Sequence, residues 1–473
     1  MKNTNIIQLL SILTPAERKQ FSAWIAYPSN GMASFGPPLL EGLLTQLERK
    51  TTVDKKLLFK SLYPRQTFNE ARWNNLLSDL LQAAYQFLQQ QALQKEPLLQ
   101  QDLLLKTLLE REILAVFPRQ SKKQAQMLEQ RPALNPQHFY FEYHLAQHQD
   151  EFQLLQEKRN YSPFLQAKND ALDLYYFFEK LRIACDMASR NLVMQADYRC
   201  HFVDAFCTHY AQDLAEQKLP PVLLIYYNTY KLLTENDSSH YFQIKPLLAG
   251  QLDQLPNAEL RTLYSYLLNH CVRQINSGNS LFYAEILALY KLLLEHSILI
   301  TNGRLTQWTF TNIVTTGIRL RDYTWTEQFI HQYAGYLNTE VRENARCFNL
   351  ANLYFEKGDH GPALQQLQSL EFTDPFYHVS AKIIQLKIYY LLGEAESLFF
   401  LMENTKRLIL RNKQLSDYQK KSNLNFIKIL QRLSKLQPNK RLQSGLNLTA
   451  KVQDLIKNTK PLANKDWLLQ QIS

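Results

Sequence analysis

The sequence predicts an all-α protein in which antiparallel helix pairs stack one after another as a solenoid. The 473 residues include only 12 glycines and 18 prolines, about half the combined share of an average protein. No glycine lies between Gly42 and Gly250, although tight strand turns and phosphate-binding loops depend on this residue. Leu, Gln, Lys, Glu and Ala, which favour helices, are abundant. Strands and phosphate-binding loops are therefore disfavoured over nearly half of the chain.

Residues 1–95 are expected to form a small helical N-terminal module. Thr14, Pro15 and Glu17 have the pattern of a capping box, in which a hydroxyl and a carboxylate satisfy the first amide donors of a helix. The same pattern at Thr67–Glu70 predicts the start of a long amphipathic helix.

A second interpretation of this module is a helix-turn-helix, with a short helix at Lys55–Leu62 and the longer helix after it. The longer helix contains Asp79 and many glutamines, and Arg72 is its one basic residue. Since DNA binding needs several contacts to phosphates, this interpretation is disfavoured.

Three further regions follow. Residues 96–220 are predicted to form long helices, with breaks at Pro118, Asn135–Pro136, Ser162–Pro163 and Pro220–Pro221. Residues 221–415 are predicted to form helical repeats, because helices of about 14 to 20 residues alternate there with short turns of Asn, Asp, Ser or Gly. Residues 416–473 are predicted to form basic capping helices.

Residues 344–377 resemble a tetratricopeptide repeat. Large and small residues stand where two antiparallel helices of that family pack, and a Gly-Asp turn lies between the helices. The positions that carry the resemblance are Leu350, Ala351, Tyr354, Gly358, Asp359, Ala363, Leu367, Leu370, Asp374 and Pro375. The neighbouring copies are weaker, and Thr326 replaces the small alanine in the preceding one.

The resemblance implies a right-handed superhelix whose first helices line a concave groove for a peptide or protein partner. The positions that correspond to groove-facing ones are Asn312, Thr315, Arg319, Asn349, Asn352 and Glu356. The family's clamp for a terminal carboxylate is absent, because Phe348 stands where that subgroup has lysine.

Positive charge is concentrated near the end of the sequence. Residues 406–465 hold 15 Lys or Arg and two acids, whereas the whole chain has a net charge of +10. On a helix predicted from Ser416 to Leu436, four cations fall within about 60° of one another. This basic stripe comprises Lys421, Lys428, Arg432 and Lys435. It is interpreted either as the solvated outer face of a capping helix or as a surface for nucleic acid or another polyanion.

No metal site, cofactor or catalytic group is predicted. His144 and His148 have a spacing that can hold a metal, but no glutamate lies between them in the manner of metalloproteases. Cys200, His201, Cys207 and His209 lie among aromatic residues, and the two cysteines are interpreted as core residues. Motifs for phosphate loops and for a nucleophile elbow do not occur.

The function predicted from sequence is that of a non-enzymatic scaffold or adaptor, which binds a protein or peptide partner in the groove. The alternative is a polyanion-binding protein that acts through the basic C-terminal helices. No apolar run approaches the roughly 20 residues of a membrane span. No signal peptide is recognised, and the five cysteines are odd in number and widely spaced, so the cytoplasm is the expected location.

Overall fold

A computed structural model describes residues 5–27, 32, 34–48, 54–156, 161–194, 196–216, 218–235, 237–368, 375–436 and 443–472. Within these ranges every regular element is a helix, apart from an isolated bridge between Thr301 and Arg304. The all-α prediction is thereby confirmed. Among the described helices, none is both long enough and apolar enough to cross a membrane.

The chain divides into two compact units. Unit 1 comprises Met1–Asp186 and Arg199–Tyr226, and unit 2 comprises Met187–Tyr198 and Tyr227–Ser473. The chain passes from one unit to the other three times, and the third passage lies within α12. The helices as far as this one are α1 (Asn5–Ile12), α2 (Pro15–Ile25), α3 (Gly36–Glu48), α4 (Lys55–Leu62), α5 (Glu70–Gln94), α6 (Pro97–Glu110), α7 (Phe117–Glu129), α8 (Pro136–Leu155), α9 (Pro163–Met194), α10 (Val203–His209), α11 (Ala211–Ala215) and α12 (Pro221–Glu235). Helices α9 and α12 each contribute residues to both units.

The remaining helices belong to unit 2. They are α13 (Ser238–Ala249), α14 (Asn257–Asn276), α15 (Phe282–Glu295), α16 (Gln307–Arg319), α17 (Tyr323–Tyr333), α18 (Thr339–Lys357), α19 (His360–Gln368), α20 (Pro375–Leu392), α21 (Ala395–Arg411), α22 (Asp417–Leu436), α23 (Gln443–Asn458) and α24 (Lys465–Gln470). A short 3-10 helix, Ala334–Tyr336, follows α17.

Start signals in the sequence account for several of these boundaries. The capping box at Thr14 is confirmed, because its hydroxyl accepts from the amide of Glu17 while the carboxylate of Glu17 accepts from the amide of Thr14. The second predicted box is wrong by two residues. Asn69, and not Thr67, is the N-cap of α5, and its side chain accepts from the amide of Arg72 at 2.9 Å. An Asn side chain at N-cap satisfies the same orphan donors as a hydroxyl.

The N-terminal helices have one hydrophobic core. Its buried residues run from Ile6 to Phe87, within the module predicted for residues 1–95, and Trp73 is fully buried in it. Gly42 allows α3 and α4 to approach each other, because a Cβ there would overlap the side chain of Leu58.

In unit 2, consecutive helices pack as pairs: α14 with α15, α16 with α17, α18 with α19, and α20 with α21. The first helices of three successive pairs also contact one another, α16 with α18 and α18 with α20. Gly358 ends α18 with a φ of 93°, the left-handed conformation that glycine adopts without a steric penalty. Ala351 and Ala363 are fully buried in the same cluster. Asp374, predicted to close this repeat, lies outside the described residues.

Candidate functional site

A cavity of about 940 Å³ lies in unit 2, and helices α16, α18 and α20 each contribute to its wall. The turn between α16 and α17, the first residue of α17 and the C-terminal segment supply the remaining wall, so residues distant in sequence meet there. The lining residues are Thr315, Ile318, Arg319, Arg321, Tyr323, Asn352, Glu356, Lys357, Lys387, Asn464, Lys465, Asp466, Trp467 and Gln470. Three of the contributing helices, α16, α18 and α20, are the first members of three successive pairs.

Four of the six groove positions selected from the sequence line this cavity: Thr315, Arg319, Asn352 and Glu356. Asn312 is exposed but does not line the cavity.

Asn349 has a different environment. Only 1% of this residue is exposed, and its amide donates to the carbonyl of Ala345 at 2.8 Å and to the hydroxyl of Thr311 on α16 at 3.4 Å. It therefore lies inside the contact between two first helices, where no partner reaches it.

The lining of the cavity is predominantly cationic. Five cationic side chains, Arg319, Arg321, Lys357, Lys387 and Lys465, face two acidic ones, Glu356 and Asp466. Lys357 has a neighbouring acid in Asp359, at 3.2 Å. Arg319 and Arg321 are exposed, and neither forms an ion pair with a residue that the structure describes. An anionic group in the cavity would therefore find two guanidinium groups that are not engaged in an ion pair with a described residue.

Lys387 is the most buried of these cations, with 7% of the residue exposed. Its Nζ donates to Oδ1 of Asn464 at 2.7 Å and lies 5.4 Å from the ring centroids of both Phe355 and Trp467. Burial lowers the pKa of Lys387 to about 8, while the nearby Glu356 opposes this effect and Arg319 adds to it. The ammonium group is thus held by one amide oxygen and two aromatic faces.

The contribution of the C-terminal segment was not predicted from the sequence. Trp467 packs against Tyr390, with ring centroids 5.7 Å apart, and against Phe426 at 6.1 Å. Asn425 donates to the carbonyl of Pro461 at 2.8 Å, which fixes the approach of the segment. The only available sequence signal was an isolated Trp in a basic segment, and it does not indicate which helix the Trp will contact.

The basic stripe occupies the exposed side of α22. Lys421, Lys428, Arg432 and Lys435 are all exposed, and none forms an ion pair with a residue in the described ranges. The opposite side of the helix is buried in a hydrophobic cluster through Phe426, Ile427, Ile429, Leu430 and Leu433. The helix therefore separates cationic and apolar faces as its periodicity predicts.

A second polar cluster lies in unit 1, between α6 and α8. His148 Nε2 is 3.0 Å from Asp102 Oδ1, and His144 Nδ1 is 3.5 Å from the same oxygen. The three ligand atoms lie within 4.8 Å of one another, an arrangement that can hold a metal ion. Burial lowers the pKa of His144, and the nearby Asp102 opposes this effect. The sequence suggested the histidine pair but not Asp102, which lies on another helix.

The cavity lining offers charge, hydrogen-bond donors and aromatic surface, which are the means by which proteins bind an anionic ligand. Comparison with known proteins identified no match: no family model, no curated protein and no solved structure is similar to this chain.

Proposed function

We propose that this chain is a non-enzymatic helical-repeat protein of the tetratricopeptide type, which binds an acidic segment of a partner protein in the cationic cavity of unit 2. The observation that carries the proposal is the lining of this cavity: three successive first helices and the C-terminal segment contribute to the wall, and five of its side chains are cationic. In tetratricopeptide arrays the first helices line the concave binding surface, and here the sequence and the cavity select four residues in common.

The right-handed superhelix belongs to the same proposal. It is supported by the helix pairs of unit 2 and by the contacts of α16 with α18 and of α18 with α20. Action in the cytoplasm is supported by the cysteines, since all five are free thiols, of which four are buried. Free thiols are usual in a reducing compartment.

The proposal of an acidic ligand rests on the charges that line the cavity and not on the resemblance to a repeat family. Two neighbouring guanidinium groups, Arg319 and Arg321, can form bidentate hydrogen bonds with carboxylates. The side chains of Thr315 and Asn352 add polar groups beside them. An extended peptide with several Glu or Asp residues fits this lining better than an apolar helix does.

The test uses a fluorescent glutamate-rich peptide as the probe, with a glutamine-rich peptide of equal length beside it, and anisotropy as the readout. We expect the purified chain to bind the glutamate peptide more tightly. Replacing two cations by the R319E/R321E variant should weaken binding by about tenfold or more, because it also places two acids in the cavity. Thr315→Trp, which adds bulk without changing charge, should weaken it as well.

The matched control is K421E/K428E, which makes the same change of charge on the basic stripe. This variant should bind the glutamate peptide as the unmodified chain does. Equal weakening by both double variants would mean that overall charge attracts the peptide, and the cavity assignment would then be wrong.

A second candidate function is the binding of nucleic acid through the basic stripe. The observation that favours it is four exposed cations on one helix face, without an acidic partner among the described residues. The contribution of phosphate contacts to affinity is measured by its dependence on salt.

This candidate predicts retardation of duplex DNA or RNA in a mobility-shift assay at low salt. Changing Lys421, Lys428, Arg432 and Lys435 to Gln should reduce the salt slope for duplex DNA by about 3 to 4 units, since each phosphate contact contributes about 0.9. Absence of retardation by the unmodified chain, or an unchanged slope in the variant, would eliminate the stripe as a polyanion site.

A further inference from the structure

Asp102 is a buried carboxylate whose polar partners among the described residues are two imidazole nitrogens, those of His144 and His148. Only 5% of the residue is exposed, and no Lys or Arg among the described residues lies within ion-pair distance. Asp150, also buried in unit 1, differs in this respect: its carboxylate accepts from Ser162 at 2.8 Å and from Lys168 at 3.4 Å. Buried charges in proteins are paired with a cation or coordinate a metal. Asp150 has a lysine beside it, whereas Asp102 has neither Lys nor Arg among the described residues.

The positions of the three side chains suit a metal ion. His144 and His148 are one turn apart on α8 and lie on the same face, and Asp102 reaches them from α6. Bonds of about 2.0–2.2 Å to zinc place two tetrahedral ligands about 3.3–3.5 Å apart. The distances of 3.0 Å and 3.5 Å from Asp102 Oδ1 to the two nitrogens are close to that spacing, and all three pairs lie within 4.8 Å.

The cluster is also accessible from one side. The side chains of Asp102 and His148 are 7% and 4% exposed, whereas that of His144 is 25% exposed. The ring of Tyr140 covers part of His144, at a centroid distance of 4.3 Å. Three protein ligands with one open side are typical of sites that keep a water molecule as the fourth ligand.

We propose that Asp102, His144 and His148 bind one divalent transition-metal ion of the zinc type, with a fourth position left to water. Such an ion joins α6 to α8, because one ligand comes from the first helix and two from the second. It also neutralises the buried carboxylate of Asp102, which has no Lys or Arg beside it among the described residues.

The experiment uses the full chain without an affinity tag, in its reduced form and after treatment with a chelator. Zn²⁺ binding is measured by calorimetry, and Co²⁺ binding by visible absorption. We expect one ion per chain and the absorption of tetrahedral Co²⁺ without a thiolate charge-transfer band, since no ligand is a cysteine. A thiolate band, or no ion bound by the unmodified chain, would overturn the proposal.

Variants assign the site. His144→Gln and Asp102→Asn should each weaken Zn²⁺ binding by about 100-fold or more, since even partners of metal ligands contribute 10–100-fold. Zn²⁺ should raise the melting temperature of the unmodified chain and not that of Asp102→Asn. His144 is partly exposed, so His144→Gln tests the site even if substitution of the buried Asp102 prevents folding.

The matched control is His138→Gln. His138 also lies on α8 and has a carboxylate, Glu142, at 3.1 Å, but no third ligand accompanies this pair among the residues that the structure describes. The control should bind Zn²⁺ as the unmodified chain does. If His144→Gln also binds Zn²⁺ like the unmodified chain, the cluster is a buried Asp–His hydrogen bond only, and the proposal fails.

Discussion

Lys387 shows how one buried residue shapes the cavity. It lies on α20 among apolar neighbours, and its ammonium group is compensated by Asn464 and by the faces of Phe355 and Trp467. These interactions are weaker than a buried ion pair, because none of them supplies a full negative charge. The charged form of Lys387 is therefore destabilised in the folded chain, as its lowered pKa indicates.

This residue leads to a prediction for Lys387→Met, which keeps the length of the side chain. The pKa falls from 10.5 in the unfolded chain to about 8 in the folded one, which corresponds to about 3 kcal/mol at 1.36 kcal/mol per unit. Below pH 8 the folded chain carries this whole cost. As the pH rises from 8 to 10.5 the unfolded chain binds more protons than the folded one, so the cost disappears.

The variant should therefore be more stable than the unmodified chain at pH 7, and its advantage should shrink between pH 8 and 10.5. Urea unfolding of both chains across this range measures the difference. A difference in the free energy of unfolding that does not change with pH would contradict the assigned burial of the Lys387 charge. Lys382→Met is a suitable comparison, because Lys382 lies on the same helix and is only partly buried. Burial lowers the pKa of Lys382 as well, but by less, so its variant should show the same pH dependence in weaker form.

Asn349 and Asn352 show why single positions on a helix are hard to assign from sequence. Both are polar residues of α18, and both were expected to face a partner. The side chain of Asn349 instead contacts Thr311 of α16, whereas Asn352 lines the cavity. Helical periodicity predicts the face of a residue, but it does not predict how closely the next helix approaches that face.

At the scale of the element, the pair α16 and α17 shows how a weak repeat still packs. Thr326 stands where a small alanine is usual, and it is fully buried, with its hydroxyl donating to the carbonyl of Asp322 at 2.6 Å. Gly317 on the facing helix provides the space, because a Cβ there would overlap Oγ1 of Thr326. In this pair the small residue is therefore Gly317 on α16, and not residue 326 on α17.

This exchange predicts a specific effect of Gly317→Ala. Alanine favours a helix over glycine by about 1 kcal/mol, yet the overlap with Thr326 should make the variant less stable by about 1–3 kcal/mol. Thr326→Ala in the same chain should restore most of the loss. Thermal unfolding of the two single variants and the double variant measures this coupling.

Gly361→Ala is the control for helix propensity. Gly361 lies in α19, and a Cβ there meets no atom within 4 Å. Its substitution should leave stability unchanged or raise it. If Gly317→Ala behaves in the same way, the close approach of α16 and α17 does not limit side-chain size.

Helix starts were predicted well, because they depend on local chemistry. Pro136, Pro163 and Pro221 each begin a helix, as the breaks before them suggested. The predicted helix from Ser416 to Leu436 corresponds to α22, Asp417–Leu436. The start of α10 is an exception, because the residue before it, Phe202, has a φ of 70° and is 68% exposed.

For the whole molecule, two cationic surfaces lie in unit 2, and they differ in kind. The basic stripe is the convex side of one helix, so its four cations share an exposed face. The cavity is concave, and its cations come from several helices and from the C-terminal segment. A row of cations on an exposed helix face suits a polyanion, whereas a concave lining with aromatic and amide groups suits a peptide side chain. The two double-charge variants separate these possibilities.

The sequence by itself determined the all-α class, the starts of several helices, the alternation of helices in residues 221–415 and the cationic face of α22. These features depend on capping, glycine content and periodicity, which act within a few residues along the chain. Only the tertiary structure brought Lys387 and Trp467 to the wall that contains Arg319, placed Asp102 beside the two histidines and buried Asn349. These juxtapositions join residues on separate helices, and packing between helices, which no local pattern encodes, decides them.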